Sequence, residues 1–335
     1  MSQLDSEKVR AAWAAARLSP LWESPNAHKP PAVPDAPHIW RWDEIRPLLE
    51  YACQETSPAA VERRVLQLFS PYSKSIADEF TVGGILAAVQ CLLPGESARP
   101  HRHSMGAIRF VLEGAGAETI VDGKPCRMAP GDLILTPSWC WHEHRHTGTA
   151  PVLWLDALDV PIHAFFGTAR FQPPPVMDMP ETMDDAAFCV PNILPENVTH
   201  KGPHSPVFHY PYGDAVKALS SSPKAESGLR VVRYVNPLDA GPAQAFLDCL
   251  MVQVDAGETS KPTRTNSNGV MVVLEGSGHS RIGETDVNWT KGDIFTLPQW
   301  NWISHTAFGD TARMFMISDR DVLKRLNLHF EEVQA

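Results

Sequence analysis

The chain has 335 residues, 43% of them hydrophobic, and a formal net charge of -10 at pH 7. This length can bury a large core and suggests about two domains, whereas the acidic balance argues against a general nucleic-acid binder. No stretch approaches the roughly 20 apolar residues of a membrane span, and the first residues lack a secretion signal, so we expect a cytoplasmic protein without a membrane partner. The six cysteines lack paired metal-binding or disulfide spacing, which predicts reduced thiols.

Taken in chain order, the sequence divides into four segments. The stretches "DSEKVRAAWAAARL" and "WDEIRPLLEYACQ" have helical spacing and predict an N-terminal helical arm over residues 1–60. Residues 61–170 and 216–335 consist of short apolar or alternating runs separated by Gly, Pro and Asp-Gly signals, which are typical of antiparallel strands. Between them, the proline-rich residues 171–215 predict an ordered strap or a linker. Near the end, "SDRDVLKRLNLHF" predicts a short closing helix.

The two strand-rich segments are copies of one unit. Residues 95–116, "GESARPHRHSMGAIRFVLEGAG", recur 162 positions later as "GETSKPTRTNSNGVMVVLEGSG" in residues 257–278 (257 - 95 = 162). The string "GDLILTPSWCWHEH" returns as "GDIFTLPQWNWISH", with one residue of slip. Two repeats of about 110 residues predict an all-β dominated fold with two β-barrels or jelly rolls in one chain.

The copies differ most clearly at histidines. The first copy has His101, His103 and His142, where the second has two threonines and an isoleucine. Residues i and i+2 of a strand point to the same face, and neutral imidazole is a common ligand of divalent transition metals. Since this set is missing from the copy that has the same fold signals, we predict that the first barrel binds a metal ion and the second does not.

The pattern G-x5-HxH followed by G-D-x3-T-P-x-W-x-W-H-x-H resembles the bicupin ring-cleaving dioxygenases of the gentisate 1,2-dioxygenase group. That group includes enzymes for salicylate, substituted salicylates and 1-hydroxy-2-naphthoate. The resemblance runs from "SPLWE" and "WRWDEIRPLL" through "ERRVLQLFSP" to both barrels. It implies a bicupin fold with a catalytic first cupin and a structural second cupin, and a homotetramer of such chains.

The resemblance also implies the cofactor and the reaction. Many cupins add a glutamate ligand after the HxH, but that position is Ala107 here. The implied site is therefore one Fe(II) per subunit on the three histidines, with up to three open positions for an ortho-hydroxy carboxylate and O2. The family implies an extradiol-type 1,2-dioxygenase that inserts both oxygen atoms, cleaving between the carboxyl-bearing and hydroxyl-bearing carbons; gentisate would give maleylpyruvate.

Two residues are candidates for direct contact with the substrate. Arg109 points inward by strand period and has Met271 as its counterpart, so its guanidinium can bind the substrate carboxylate; a surface or ion-pair arginine is the alternative. His144 is matched by His305 in the second copy, which favours a structural role, whereas the family resemblance favours substrate contact.

For three further polar residues the sequence allows both a functional and a structural role. Gln90 matches a substrate-contacting glutamine of the family, although a polar residue in an apolar run could also bond backbone. Asp156 could orient a ligand histidine or a pocket arginine, or make a structural hydrogen bond. Arg64 in "ERRVLQLF" matches an arginine-bearing family segment near the pocket, but Arg230 retains the charge in the second copy.

The choice of substrate depends on the segment "TVGGILAAVQC". Gentisate enzymes of the family usually read closer to "YAGVQ", so Leu86 occupies the position of an expected aromatic residue, and Ala88 follows on the same face. A changed pocket wall alters relative rates for similar substrates. Gentisate is the first expectation, with salicylate, 5-substituted salicylates such as 5-nitrosalicylate, and 1-hydroxy-2-naphthoate as alternatives. A non-catalytic acid-binding bicupin and a metal isomerase or decarboxylase are alternatives of other classes.

Overall fold

The computed structural model describes residues 6–23, 35–61, 63–71, 80–198, 200 and 202–335. The chain forms two compact units, Met1–Pro34 and Asp35–Ala335. In the first unit, helix α1 (Ser6–Ala15) precedes a single 3₁₀ turn, and the Trp13 and Trp22 rings meet edge to face with centroids 6.0 Å apart. Arg10 forms an ion pair with Glu23 in the same unit.

The second unit begins with a barrel of two antiparallel sheets. A six-stranded sheet has the order β12-β8-β5-β10-β3-β2, and a five-stranded sheet has the order β11-β4-β9-β6-β7. The elements of this half are β1 (Ile39–Trp40), α2 (Trp42–Glu55), α3 (Pro58–Val61), β2 (Val65–Leu68), β3 (Leu86–Leu92), β4 (Ser97–His103), β5 (Ala107–Glu113), β6 (Ala117–Val121), β7 (Lys124–Arg127), β8 (Leu133–Thr136), β9 (His142–His146), β10 (Val152–Leu158), α4 (Val160–Phe166), β11 (Phe171–Gln172), a 3₁₀ turn (Asp185–Phe188) and β12 (His209–Tyr210).

A second barrel repeats this topology. Its sheets have the orders β1-β19-β16-β21-β14-β13 and β18-β17-β20-β15-β22, so the predicted two-barrel, mostly β fold is confirmed. The elements are α5 (Tyr212–Ser221), β13 (Arg230–Arg233), β14 (Asp248–Val254), β15 (Thr263–Thr265), β16 (Gly269–Glu275), β17 (Ser277–Ile282), β18 (Thr285–Thr290), β19 (Ile294–Leu297), β20 (Ile303–Ala307), β21 (Ala312–Ser318), α6 (Arg320–Arg325) and β22 (Glu331–Val333).

In each barrel, one edge strand of the six-stranded sheet comes from the chain segment that precedes the other barrel. Strand β1 pairs with β19 of the second barrel, and β12 pairs with β8 of the first. The backbone N–H of Trp42 donates to Asp293 Oδ1 at 2.9 Å, and that of Tyr212 donates to Asp132 Oδ1 at 2.9 Å, so the two exchanges are anchored in the same way. This reciprocal exchange ties the two barrels together.

The six-stranded sheets contribute most of the shared core. Phe110 of β5 stacks on Phe315 of β21 with ring centroids 3.9 Å apart, so the sheets of the two barrels meet there. All seven residues of β3 and six of the seven in β10 are buried, as expected for strands covered on both faces. Polar residues in these strands must therefore find partners inside the barrel.

The described residues of the proline-rich connection form a strap on the first barrel. Lys124 Nζ lies 2.7 Å from Asp185 Oδ1, and His209 Nε2 lies 2.9 Å from Asp132 Oδ2. The expected closing helix is α6, but strand β22 follows it and pairs with β15. None of the helices in the described ranges is long and apolar enough to cross a membrane. The domain boundaries at residues 60, 170 and 215 stay predictions.

Candidate metal centre and substrate pocket

The three predicted metal ligands meet on neighbouring strands of the first barrel. His101 of β4 pairs directly with His142 of β9, and His103 lies two residues further along β4 on the same face. Their ring centroids are 4.2 Å apart for His101 and His142 and 4.9 Å for His103 and His142. One ring nitrogen from each lies within 4.8 Å of the others, and all three residues are buried. This group could hold a metal ion.

Hydrogen bonds fix the tautomer of each ring. The Nδ1 atoms of the three histidines lie 3.0, 2.7 and 3.0 Å from the carbonyl oxygens of Arg99, Met105 and Cys140, in chain order. A carbonyl only accepts, so each Nδ1 carries the proton and each Nε2 has a free lone pair. The Nε2 atoms are buried, and none has a hydrogen-bond partner in the described part of the chain. Orphaned acceptors of this kind fit a divalent metal ion.

The surroundings keep these imidazoles neutral. Burial, with a further contribution from the charge of Arg63, lowers the pKa of His101 to about 3 and that of His103 to about 4. Burial also places the pKa of His142 well below its ordinary value. Neutral imidazoles are ready to ligate a metal at pH 7, because no proton has to be displaced from Nε2.

Arg109 points into the barrel as predicted and forms an ion pair with Asp156. The two residues face each other on β5 and β10, with Nε and Oδ1 3.3 Å apart. Nη1 of Arg109 also donates to Thr136 Oγ1 at 2.6 Å, and Trp154 Nε1 donates to Asp156 Oδ1 at 3.0 Å. Asp156 therefore lies beside Arg109, which is one of the arrangements expected for it from the sequence. The buried guanidinium contributes to the lowered pKa values of the nearby histidines.

Two more predicted residues present buried polar atoms without partners. Gln90 is 1% exposed, and within the described ranges neither Oε1 nor Nε2 has a hydrogen-bond partner. Nδ1 of His144 lies 3.0 Å from Thr119 Oγ1, while its Nε2 is buried and unpaired there. Such buried atoms are costly unless a ligand or water satisfies them, so they are candidates for contact with a ligand.

The predicted wall residues lie on β3 beside these groups. Ala88 is directly opposite Asp156, and Leu86 is opposite Leu158. Because the side chains of a strand alternate, Leu86, Ala88 and Gln90 share the face that carries Arg109 and Asp156. Leu86 and Ala88 are both buried, which gives this wall an apolar surface with one amide at its end.

The structure does not bring Arg64 to the histidine cluster. Its guanidinium pairs with Glu96, with Nη2 and Oε2 2.5 Å apart, and also donates to the carbonyl oxygens of Thr56 and Cys91. The preceding residue, Arg63, is the one whose charge acts on the histidines. The "ERR" doublet lies before β2 begins, where strand alternation gives no basis for choosing between the neighbours Arg63 and Arg64.

Two residues near the site were missed by the sequence reasoning. Phe171 of β11 stacks on the His101 ring with centroids 5.5 Å apart, and it pairs with His103. It comes from the proline-rich segment, where no local pattern indicates contact with β4. Thr136, the partner of Arg109, could have been found, because its counterpart in the second copy is the apolar Leu297.

The sequence profile of the Cupin domain family matches residues 88–158. A gentisate 1,2-dioxygenase of Aquipseudomonas alcaligenes is 35% identical over 92% of this chain and 91% of its own length. A 5-aminosalicylate 1,2-dioxygenase of a Comamonas species is 31% identical over 99% of this chain and 91% of its own. The solved structure of a salicylate 1,2-dioxygenase from Pseudoaminobacter salicylatoxidans, in adducts with gentisate, has a TM-score of 0.90 at 26% identity and covers 100% of this chain and 95% of that one. The chain therefore belongs to the gentisate 1,2-dioxygenase family of cupin dioxygenases.

Proposed function

We propose that this dioxygenase is iron(II)-dependent and extradiol-type, and that it cleaves the ring of an aromatic ortho-hydroxy acid, gentisate first, with both atoms of O2 entering the product. The observation that carries the proposal is a cluster of three neutral histidines with unpaired Nε2 atoms beside a buried arginine. The second barrel, which repeats the fold, has neither the three histidines nor the arginine. The difference between the copies is therefore chemical rather than architectural.

His101, His103 and His142 would hold the metal through Nε2. Bound Fe(II) would pass electron density from the substrate ring to O2 and would supply a positive charge for the substrate's carboxylate and phenolate. Three neutral ligands leave that charge uncompensated, which suits an anionic substrate. We propose one iron per chain, in the first barrel only, and the family's homotetrameric assembly in the cytoplasm.

Arg109 binds and orients the substrate carboxylate. Asp156 and Thr136 fix its guanidinium on one side, so its remaining N–H groups are directed before the substrate arrives. A preorganised guanidinium loses little side-chain entropy on binding and makes charge-assisted hydrogen bonds. Arg63 adds positive charge on the same side of the barrel and replaces Arg64 in our assignment.

His144 is proposed to accept a hydrogen bond from the substrate hydroxyl at Nε2. This role requires the tautomer in which His144 Nδ1–H donates to Thr119 Oγ1, 3.0 Å away, and Nε2 keeps its lone pair; the Thr119 hydroxyl then has Met128 Sδ, at 3.5 Å, as its own acceptor. Burial sets the pKa of His144 well below its ordinary value, which keeps the ring neutral and able to accept. The Gln90 amide supplies a donor and an acceptor for substrate oxygens.

The ring of the substrate lies against the apolar wall of Leu86 and Ala88, and Phe171 covers His101 at the edge of the site. A leucine where gentisate enzymes carry an aromatic residue favours a second candidate of the same class, a 5-substituted salicylate. The 5-aminosalicylate enzyme among the relatives is similar to this chain over nearly its whole length.

The test is anaerobic reconstitution with Fe(II), followed by oxygen uptake with gentisate, salicylate, 5-nitrosalicylate and 1-hydroxy-2-naphthoate under identical conditions. We expect one iron per chain and one O2 consumed per substrate. His101→Ala should lower activity by at least about 100-fold and reduce iron content, since a metal ligand is lost. Thr263→Ala, at the matching position of the second barrel, should change neither.

Two results would contradict the proposal. Stoichiometric iron without oxygen uptake on any acid of the panel would favour a non-catalytic binding protein. Turnover with Mn(II) in the absence of oxygen would favour an isomerase or decarboxylase. A preference for a salicylate over gentisate would leave the metal site intact and reassign only the pocket wall formed by Leu86 and Ala88.

A further inference from the structure

The second barrel contains a cavity of about 250 Å³ at the position that the metal centre occupies in the first. We call it the second-barrel cavity; its walls include Leu250, Val252, Met271, Ile303, His305 and Met316. By the repeat, Val252 stands where Gln90 does, Met271 where Arg109 does and Ile303 where His142 does. At these three positions the duplicated fold has kept the space and replaced a polar side chain with an apolar one, while hydroxyl side chains such as those of Thr263 and Thr265 also line the cavity.

The imidazole of His305 lines this cavity. His305 is 5% exposed, and its Nδ1 lies 2.7 Å from Ser280 Oγ, which also accepts from Trp289 Nε1 at 2.8 Å. Its Nε2 makes no hydrogen bond within the described residues. Burial lowers the pKa of His305 to about 4, so the ring is neutral at pH 7. A neutral ring nitrogen in an apolar cavity matches one uncharged hydrogen-bonding group.

The charges at the cavity do not suit an anion. Arg320 lines it, but its Nε is 2.5 Å from Oδ2 of the fully buried Asp248, which also pairs with Arg233 at 2.7 Å. The other charged residue of the lining is Glu331, which would repel a carboxylate. An acid of the kind proposed for the first barrel would therefore enter without a free counter-charge, which is unfavourable in an apolar site.

We propose that the second-barrel cavity is a binding site for an uncharged phenol, with its aromatic ring among the aliphatic side chains and its hydroxyl on His305 Nε2. An apolar cavity of roughly 150 Å³ is large enough to bind benzene, so this volume accommodates a ring with a hydroxyl group. A hydroxyl donates and accepts, and so it pairs with Nε2 in either tautomer of the imidazole. This site is separate from the proposed dioxygenase reaction and needs no metal.

Phenol itself is the probe, titrated calorimetrically into the full-length, iron-loaded protein under anaerobic conditions. We expect one saturable site per chain, and no measurable heat with benzoate at the same concentrations. Val252→Phe should abolish binding because the new ring fills the cavity, and it should leave oxygen uptake unchanged. The matched variant Ala88→Phe, which narrows the first barrel, should keep phenol affinity within about twofold if the site lies in the second barrel.

A second variant tests the polar contact. His305→Leu removes the proposed hydrogen-bonding partner and should weaken phenol about tenfold, the size expected for one hydrogen bond to a neutral group. The assignment is overturned if phenol does not bind the wild-type protein, if Val252→Phe binds it as well as wild type does, or if binding disappears in Ala88→Phe. Benzoate binding as tight as that of phenol would overturn the ligand class. The comparison of the two probes needs no variant to fold.

Discussion

Arg109 and Asp156 form a buried ion pair at the positions where the second barrel has Met271 and Ser318. Burial raises the pKa of Asp156, and the guanidinium opposes that rise. Removing only the arginine leaves a buried carboxyl without its counter-charge, whereas replacing both residues restores a neutral pair that this fold already accommodates. The Met271 and Ser318 pair of the second barrel is therefore a natural reference for the effect of the ion pair on stability.

We therefore expect Arg109→Met to lower the free energy of unfolding by about 3 kcal/mol, as for breaking a buried ion pair. It should also lower kcat/KM by about 100-fold, since the charge-assisted contact with the substrate carboxylate is lost. The double variant Arg109→Met/Asp156→Ser should recover most of the stability but none of the activity. Urea unfolding and oxygen uptake measure the two quantities; recovery of activity in the double variant would exclude the substrate role of Arg109.

At this scale the sequence predicted the residues that differ between the copies. His101, His103 and Arg109 each stand opposite a residue that cannot do the same chemistry, and strand alternation gives their direction. Strand alternation gives no direction for Arg64, which precedes β2 and pairs with Glu96, and the position of Phe171 depends on pairing between distant segments. Long-range pairing of a two-residue strand leaves no pattern in the local sequence.

At the scale of elements, the pairing of the exchanged strands could likewise not be predicted from the local sequence. β1 and β12 contain two residues each, which is too short for a period, so the sequence predicted the barrels but not the strands that cross between them. It did mark their anchor points, since "GD" opens the matching strings at Gly131 and Gly292. Both glycines have positive φ, +87° and +92°, and an added Cβ would lie 2.5 Å from the Tyr212 or Trp42 ring.

Gly292→Ala should therefore lower the free energy of unfolding by more than backbone strain alone would. Gly123→Ala is the matched control, because Gly123 has a φ of +83° and no atom within 4 Å of the added Cβ. We expect the control to lower the free energy of unfolding by about 1–2 kcal/mol from left-handed strain. Gly292→Ala should lose at least about 2 kcal/mol more through overpacking against Trp42. Equal losses by urea unfolding would show that this anchor of the exchanged strand contributes little.

Across the whole molecule, buried neutral histidines lie in both barrels and in the strap. Burial lowers the pKa of His101 to about 3 and those of His103, His204 and His305 to about 4. An unfolded histidine titrates near 6.5, so acidification protonates the unfolded chain first, and stability present above that pH is lost as the pH falls. Asp159 acts in the opposite direction, because burial raises its pKa to about 7 and its folded carboxyl takes up a proton first.

Each of these groups changes the free energy of unfolding by about 1.4 kcal/mol per pH unit between its folded-state and unfolded-state pKa values. Because four histidines oppose one carboxyl, the protein loses stability overall as the pH falls. We expect the free energy of unfolding of the metal-free protein to fall by at least about 3 kcal/mol between pH 6.5 and pH 5, measured by urea unfolding. His204→Gln, in the strap and away from both cavities, should reduce that slope by about the contribution of one histidine. A slope that is flat, or that the variant leaves unchanged, would mean that these rings take up protons while the chain is folded.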